Sequence, residues 1–329
     1  MKDEFVPLED DFIPSRQARV IIAHLINSAY ICNTCYNTPV MNQKHIEIKK
    51  LVKYYGKARG VTDVSFDVNQ ADFFGFIGPN GAGKSTTIRI LTGLIRSSGG
   101  EAKMFGMDVW KQRTEILSHI GYLPSEISFY PGQSVRDVLE LSARLHGVDC
   151  KSDTGVLCER LKLNGSQKVA DLSLGNRKKV GIVAALQHRP DLIILDEPTS
   201  GLDPLMQHEF FEILKERNNA GATIFLSSHI LTEVQNYCKR AAIIREGVLV
   251  ACDDVDKLLK TKAKSISLKG DFNPESIPGC TAVEHSSDNV RFLYDGDIRQ
   301  LLRILAESDI KDLSIQEPGL EEIFMHYYE

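Results

Sequence analysis

The fold of this chain is decided by the stretch Gly78-Pro79-Asn80-Gly81-Ala82-Gly83-Lys84-Ser85-Thr86, which follows directly on an apolar run at residues 73–77. The stretch fits the pattern G-x-x-x-x-G-K-[ST], in which glycines let backbone N–H groups close around phosphate oxygens. A helical pattern begins at Lys84, so the positive end of a helix dipole faces the same phosphates. We therefore predict a strand, a phosphate-binding loop (residues 78–86) and a helix, with Lys84 as a point charge and Ser85 as a magnesium ligand.

A second apolar run ends in two carboxylates. Asp196 and Glu197 follow the four apolar residues 192–195 and precede a proline. Open α/β sheets bind their ligands at the carboxyl ends of strands, so we expect Asp196 to reach Mg²⁺ beside the phosphates. Glu197 is then placed to orient or deprotonate an attacking water.

The rest of the sequence has the texture of an α/β domain followed by a smaller one. Between about 45 and 250, short apolar runs alternate with helical stretches, which is typical of a largely parallel sheet. The domains we predict are an N-terminal extension at 1–44, an α/β domain at 45–252 with a helical subdomain at about 125–185, and a small α+β domain at 253–329. The clearest strands are expected at 73–77, 192–195, 223–226, 266–268, 290–293 and 313–315, and the clearest helices at 84–94, 135–146, 178–187, 207–216, 298–306 and 320–328.

The first 44 residues are interpreted as an appendage. Period-two alternation typical of a strand starts only at Ile46. We expect a chain that begins at Met41 to keep its melting temperature and activity. Cys32 and Cys35 form a lone C-x-x-C, which favours unliganded thiols, and a metal there is left open.

Composition excludes several classes of protein. The 329 residues carry 39 Lys and Arg against 44 Asp and Glu, a net charge of -5, so no global basic field is present to hold nucleic acid. The longest nearly apolar run, at 20–31, is too short for a membrane span, and the N-terminus does not fit a secretory signal. We therefore expect a cytoplasmic protein.

The order of motifs resembles the nucleotide-binding subunits of ABC transporters over about residues 45–250. The run Leu172-Ser173-Leu174-Gly175-Asn176 is similar to the LSGGQ signature of that family and keeps its serine and second glycine. Asp203 closes a segment that resembles the family's D-loop, and His229 follows a strand in the manner of its switch histidine. Tyr55 is similar to the aromatic residue on which the adenine stacks.

Two further segments refine the resemblance. Ser125 stands where the family has its Q-loop glutamine, and a serine could reach Mg²⁺ only through water. The run at 312–324 resembles the tail of ATPases that serve ABC-2 type exporters, such as drug and antibiotic resistance pumps.

The resemblance implies a P-loop ABC ATPase that binds ATP and Mg²⁺. Two subunits would join head to tail, with each ATP between residues 78–86 of one and the Ser173 segment of the other. A separate membrane-spanning permease would hold them at the cytoplasmic face of the cell membrane, and no nucleic-acid partner is expected. The implied catalytic residues are Glu197 and His229, the metal ligands are Ser85 and Asp196, and the nucleotide-binding residues are Tyr55, Gly78, Pro79, Asn80, Gly81, Ala82, Gly83, Lys84, Ser85, Thr86, Ser173, Gly175 and Asp203.

Three alternatives were weighed against this function. A mechanical or regulatory ABC ATPase acting on DNA or ribosomes is disfavoured, because the chain has one cassette, no room for an inserted coiled coil, and only the small basic cluster at 177–179. A binding module without turnover is suggested by Ser125 and the altered signature, but Glu197 and His229 argue against it. A GTPase would need the guanine-reading Asn-Lys-x-Asp motif. The transported substrate cannot be read from this chain, since the membrane subunits choose it.

Overall fold

The computed structural model describes residues 43–56, 58–130, 132–259, 264–270, 272–274, 277–286, 289–308 and 310–316, and the fold is given over these residues. The predictions about residues 1–42, including Cys32 and Cys35, lie outside the described residues. The predicted helix at 320–328 does so as well.

Strands and helices alternate through most of the described chain. In chain order the strands are β1 Lys44–Tyr55, β2 Ala58–Asn69, β3 Phe73–Ile77, β4 Gly99–Met104, β5 Met107–Asp108, β6 Ile120–Leu123, β7 Leu192–Asp196, β8 Thr223–Ser228, β9 Arg240–Arg245, β10 Val248–Asp254, β11 Lys264–Gly270, β12 Cys280–His285, β13 Asn289–Tyr294 and β14 Ile310–Gln316. The helices are Lys84–Leu91, Arg113–Ser118, Val135–His146, Lys151–Arg160, Leu174–Leu186, Pro204–Asn219, Leu231–Tyr237, Val255–Leu259 and Ile298–Ala306.

The central sheet has six strands in the order β10-β9-β3-β8-β7-β6. All neighbours from β9 to β6 are parallel, and β10 pairs antiparallel at the edge. Residues 73–77 are all buried, as expected for a strand with packing on both faces. The α/β fold predicted from the sequence is therefore confirmed.

The register of this sheet brings three chain segments together. Ile77 at the end of β3 lies beside Ser228 at the end of β8, and Asp196 at the end of β7 lies beside Ser227. Three features therefore lie together at the carboxyl ends of β3, β7 and β8: the loop at 78–86, the carboxylate pair Asp196 and Glu197, and His229. An open α/β sheet binds its ligand at the carboxyl ends of its strands.

A second, antiparallel sheet of order β2-β1-β4-β5 packs against the central one. Phe66 from β2 lies 5.3 to 6.1 Å, between ring centroids, from Phe74, Phe76 and Phe225 of the central sheet. These rings form a buried aromatic cluster that fixes the two sheets to each other. The sequence analysis had located only the first strand of this sheet.

Helices between β6 and β7 form the helical part of the domain. Ser134 begins one of them with a capping box, because its hydroxyl accepts from the Asp137 N–H while the Asp137 carboxylate accepts from the Ser134 N–H. The helix expected at 178–187 instead spans Leu174–Leu186, because the Ser173 hydroxyl accepts from the Asn176 N–H and starts the helix earlier. The helix expected at 84–94 ends at Leu91, and Gly93 turns the chain away with a φ of 66°.

The last described strands form a separate sheet of order β12-β13-β11-β14. Helix Ile298–Ala306 covers it, and Leu301 and Leu305 pack with Ile266, Leu268 and Phe292 in a core of their own. By contrast, Val255 and Leu258 belong to the core of the central sheet. Within the described part of the chain, no helix has the length and apolar character needed to cross a membrane.

Candidate functional site

The phosphate-binding loop is held open by glycines. Gly83, directly before helix Lys84–Leu91, has a φ of 109°, a conformation that a side chain would strain. A Cβ on Gly78 would lie 2.4 Å from the carbonyl oxygen of Ile244, so a larger residue there would push strand β9 away. The loop thus leads directly into the start of helix Lys84–Leu91, whose first N–H groups have no partner within the helix and can meet a phosphate.

Lys84 lies over this loop. The side chain is 4% exposed, and Nζ donates hydrogen bonds to the carbonyl oxygens of Gly78 (2.6 Å) and Pro79 (3.1 Å). Nζ also lies 3.4 Å from Oε1 of Glu197. The ammonium therefore bridges the loop and the second carboxylate.

His229 lies against the same carboxylate. Its Nδ1 lies 3.3 Å from Oε1 of Glu197, so Lys84 and His229 converge on one oxygen. Glu197 itself has a φ of 50°, a strained conformation for a residue with a side chain, and its N–H donates to the carbonyl of Ser227 at 3.0 Å. Backbone strain of this kind is common where a side chain is held for chemistry.

Asp196 fits the part of a magnesium ligand. It is 2% exposed, and within the described residues its Oδ1 has no hydrogen-bond partner. Burial raises the pKa of this carboxyl, while the Ser85 hydroxyl acts in the opposite direction. A divalent cation would satisfy the unpaired oxygen, and Ser85 would supply a second ligand. Within the described residues, no group of three or more His, Cys, Asp and Glu side chains is placed to hold a metal ion, so the remaining ligands would come from phosphates and water.

Tyr55 lies beside the phosphate-binding loop at the end of β1. Its ring is 45% exposed, and its hydroxyl is 3.5 Å from Oγ1 of Thr86. Lys53 places its ammonium 5.3 Å from the ring centroid. An exposed aromatic face next to a phosphate site is suited to stacking a nucleotide base.

The remaining predicted residues, Ser173, Gly175 and Asp203, belong with Gly201 to a second group, which we call the signature cluster. A Cβ on Gly175 would lie 2.5 Å from the carbonyl oxygen of Gly201, so the start of helix Leu174–Leu186 touches the loop before Asp203 at these two glycines. Ser173 and Asp203 each cap a helix through the side-chain oxygen. No hydrogen bond or ion pair of the described residues joins this cluster to the phosphate-binding loop.

The segment after β6, residues 124–129, is held by a residue that the sequence did not single out. Lys178 is 3% exposed, and its Nζ donates to the carbonyl oxygens of Ser125 (3.0 Å) and Pro124 (3.3 Å). Burial lowers its pKa to about 8, and the charges of Asp196 and Glu197 act in the opposite direction. Nearly every residue from 178 to 186 is buried, so this part of the helix is enclosed on all sides and helical periodicity could not have singled out Lys178.

Comparisons with known proteins identify the relatives of this chain. A family model described as ABC transporter matches residues 61–200. The chain is 34% identical over 296 residues to the bacitracin transport ATP-binding protein BcrA of Bacillus licheniformis, covering 85% of this chain and 96% of that protein. It is 29% identical over 303 residues to the linearmycin resistance ATP-binding protein LnrL of Bacillus subtilis (strain 168), with 85% and 97% coverage.

Solved structures give the same fold. The ATP-binding subunit of an ABC transporter has a TM-score of 0.62 at 32% identity, over 65% of this chain and 91% of that one. A dimeric post-hydrolysis ATP-binding cassette bound to ADP and Pi has a TM-score of 0.58 at 20% identity, over 64% and 98% of the two chains. Because the second structure is only 20% identical, its similarity shows the fold and nothing more.

Proposed function

Because this chain belongs to the ATP-binding proteins of ABC transporters, which are ATPases, we propose that it powers an ABC-2 type exporter of an antibiotic-like compound. The observation that carries the hydrolytic part is the convergence of Lys84 and His229 on Oε1 of Glu197. The exporter class is supported by similarity over nearly the full length of two relatives named for bacitracin transport and linearmycin resistance.

Each residue of the site has a part in hydrolysis. Tyr55 stacks the adenine, the backbone N–H groups of residues 78–86 bind the phosphates, and Lys84 meets the β and γ phosphates with its charge. Ser85 and Asp196 would hold Mg²⁺, which when bound would supply positive charge beside the phosphates. Glu197 orients and deprotonates the attacking water, and His229 fixes Glu197 and the γ phosphate relative to each other.

The signature cluster completes the site of a second copy. Ser173 and Gly175 stand at the start of a helix, where an anion is favoured, yet they make no described contact with the chain's own phosphate-binding loop. A head-to-tail dimer would bring this helix start and Asp203 against the ATP of the other copy. ATP would then act as the bridge between the two subunits.

The export reaction needs a partner. The described residues hold no helix that could cross a membrane, so the path for the exported compound belongs to a separate permease. The chain would sit beneath that permease at the cytoplasmic face of the membrane. Co-expression with a permease of about six spans should yield a complex that hydrolyses ATP in lipid. If this chain were absent from the purified complex, that result would contradict the exporter assignment.

The dimer is tested with Glu197→Gln, which keeps the shape of the side chain and removes the base. Turnover should fall by roughly 10² to 10⁴ fold, the usual worth of positioned acid–base groups, while ATP binding survives. Because ATP bound only by the dimer stabilises it by mass action, size-exclusion chromatography with ATP and Mg²⁺ should show a dimer.

Two further variants serve as controls. Ser173→Arg in the Glu197→Gln background puts charge and bulk into the interface, so the dimer should be lost. Lys84→Ala should abolish hydrolysis while leaving the circular dichroism spectrum unchanged, because the charge serves the phosphates and not the core. A Glu197→Gln protein that remains monomeric both alone and with the permease, or a double variant that still dimerises, would refute the ATP-bridged arrangement.

A further inference from the structure

Lys178 joins parts of the site that are distant in sequence. It sits in helix Leu174–Leu186, whose first residues belong to the signature cluster. Its Nζ donates to the main-chain oxygens of Pro124 and Ser125, directly after β6. β6 and β7 are neighbours, with Leu123 opposite Leu195, so Pro124 and Ser125 follow β6 on the same side as Asp196 and Glu197 follow β7. One ammonium thus connects the helix Leu174–Leu186 to a segment that lies beside the carboxylate pair.

The short side chain at position 125 explains why such a link matters in this chain. A serine hydroxyl cannot span from the backbone of this segment to a cation held by Asp196 except through water. Lys178 instead fixes the backbone of Ser125 itself, at 3.0 Å. The segment is therefore positioned by a residue from another helix.

A cavity of about 480 Å³ lies beside the hydrogen bonds that Lys178 makes. Its lining includes residues of the segment after β6, of the helix Leu174–Leu186 and of the loop before Asp203, namely Ser125, Glu126, Leu174, Arg177, Lys178 and Ser200. Ile127 and Phe129, later in the segment, pack against the core of the central sheet, whereas Ser125 and Glu126 border the empty space. Without the ammonium, the main chain at Pro124 and Ser125 loses both hydrogen bonds at the part of the segment that has room to move.

Burying a lysine lowers the free energy of unfolding, and this cost lets an experiment distinguish a structural role of Lys178 from a functional one. Taking an ammonium out of water costs several kcal/mol unless it is well paired, and replacing a buried charge by an apolar residue of similar volume is often neutral or stabilising. A fold that needed only packing here would accept methionine. A site that needs a fixed Ser125 backbone would not.

We propose that Lys178 is a positioning residue for ATP hydrolysis, which holds the Pro124–Ser125 main chain against the carboxylate pair and ties that position to the helix Leu174–Leu186. It acts through Ser125, Asp196 and Glu197. This role rests on the site residues proposed above.

The test compares Lys178→Met with Lys178→Arg. A displacement of about 1 Å in a catalytic arrangement costs on the order of 10²-fold in rate, so Lys178→Met should lower kcat by roughly 10- to 100-fold. The KM for ATP should stay within about threefold, because the phosphate-binding loop is untouched, and the melting temperature should be unchanged or higher. Lys178→Arg keeps the charge and the donors and should recover a large part of kcat.

A second measurement does not depend on turnover. Hydrogen exchange followed by mass spectrometry should show faster exchange of the amides at 125–129 in Lys178→Met and in Lys178→Gln, with the helix at 174–186 unchanged. Lys179→Met is the matched control, since Lys179 is also buried on this helix and the described residues show no hydrogen bond from it to Pro124 or Ser125.

Several outcomes would overturn the role of Lys178. Unchanged exchange at 125–129 in folded Lys178→Met and Lys178→Gln would do so, as would an unchanged kcat, or an equal loss of kcat in Lys179→Met. Failure of the site assignment has a different result, namely that Glu197→Gln retains full turnover while exchange at 125–129 still responds to Lys178→Met.

Discussion

Buried charged side chains are concentrated around the nucleotide site. Lys84, Lys178 and Asp196 are 4%, 3% and 2% exposed, respectively. Each of them costs stability that an apolar residue would not, and such groups gather where chemistry is performed. The strained backbone of Glu197 adds to this cost. At the scale of residues, the molecule therefore gives up stability at the site where we propose that ATP is hydrolysed.

A pair of histidines outside this site should make stability depend on pH. His146 and His188 stack at 3.6 Å between ring centroids, and burial lowers the pKa of His146 to about 4 and that of His188 to about 3. In the unfolded chain a histidine has a pKa of about 6.5. Between about pH 6.5 and pH 4 the unfolded state therefore binds more protons than the folded state, and the free energy of unfolding falls as pH falls.

Thermal melts at several pH values will show this effect. The melting temperature should drop by several degrees from about pH 7.5 to about pH 5, and His146→Phe, which keeps an aromatic ring against His188, should reduce the drop. The control His208→Gln changes an exposed histidine on helix Pro204–Asn219 and should leave the pH dependence as it was. An identical slope in His146→Phe and the unaltered protein would rule out the histidine pair as its source.

At the scale of elements, strands with a continuous apolar run were predictable and elements without a clear pattern were not. Residues 73–77 and the helix Val135–His146 lie where the sequence put them, because burial on both faces and a Ser134 cap leave clear signals. Helix Lys151–Arg160 was missed, since it buries only Leu157 and contains Gly155. Its stability comes from packing and ion pairs in the folded molecule, which no local pattern reveals.

The same reasoning explains what could be predicted of the site. Motif spacing placed Lys84 at the start of the helix that follows β3 and its loop, and Asp196 and Glu197 at the end of β7, and the sheet brings the three together. Lys178 was missed because it stands in a short basic run that is typical of a solvated face. Its inward direction depends on a helix that starts at Ser173, and on a segment more than fifty residues earlier in the chain.

Replacing a helical glycine by alanine should have opposite effects at Gly155 and at Gly175. A Cβ on Gly155 would meet nothing within 4 Å, and its φ is not in the left-handed region. Gly155→Ala should therefore raise the free energy of unfolding by about 0.5–1 kcal/mol, because alanine has less backbone entropy to lose. At Gly175 the Cβ would lie 2.5 Å from the Gly201 carbonyl oxygen, so Gly175→Ala should displace the signature cluster.

Urea denaturation and ATPase assays check both substitutions. Gly155→Ala is expected to move the urea midpoint upward with turnover unchanged. Gly175→Ala should lower turnover more than it lowers stability. A loss of stability in Gly155→Ala would show that the helix Lys151–Arg160 carries strain that the free space around Gly155 does not reveal.

At the scale of the whole molecule, the described residues form three apolar cores. The residues of the nucleotide site, from Tyr55 to His229, all belong to the part built on the first two. The sheet of β11 to β14 has its own core, which shares no residue with the others. We therefore expect that the sheet of β11 to β14 can be removed without disrupting the two cores on which the site is built.

A chain ending at Leu259 tests this division. It keeps Val255 and Leu258 in the core of the central sheet, so ATP hydrolysis should stay within about twofold of the full chain. A chain ending at Cys252 removes both side chains and should melt at a lower temperature, because deleting buried aliphatic residues costs roughly 2–5 kcal/mol each. Calorimetry and ATPase assays on the two chains decide it; equal melting temperatures would mean that helix Val255–Leu259 contributes nothing.

The position of β3 in the sheet has a consequence for synthesis on the ribosome. This strand is apolar throughout, and both neighbours, β8 and β9, are encoded far downstream. They emerge about 150 residues later, a delay of roughly 7 to 30 s at ordinary translation rates. During that time the nascent chain exposes an apolar strand with unpaired backbone groups, which chaperones bind and which aggregates when chaperones are scarce. Chains stalled before residue 223 should therefore be cut by protease at 73–77. Resistance to cleavage there would show that the strand is protected by another part of the nascent chain.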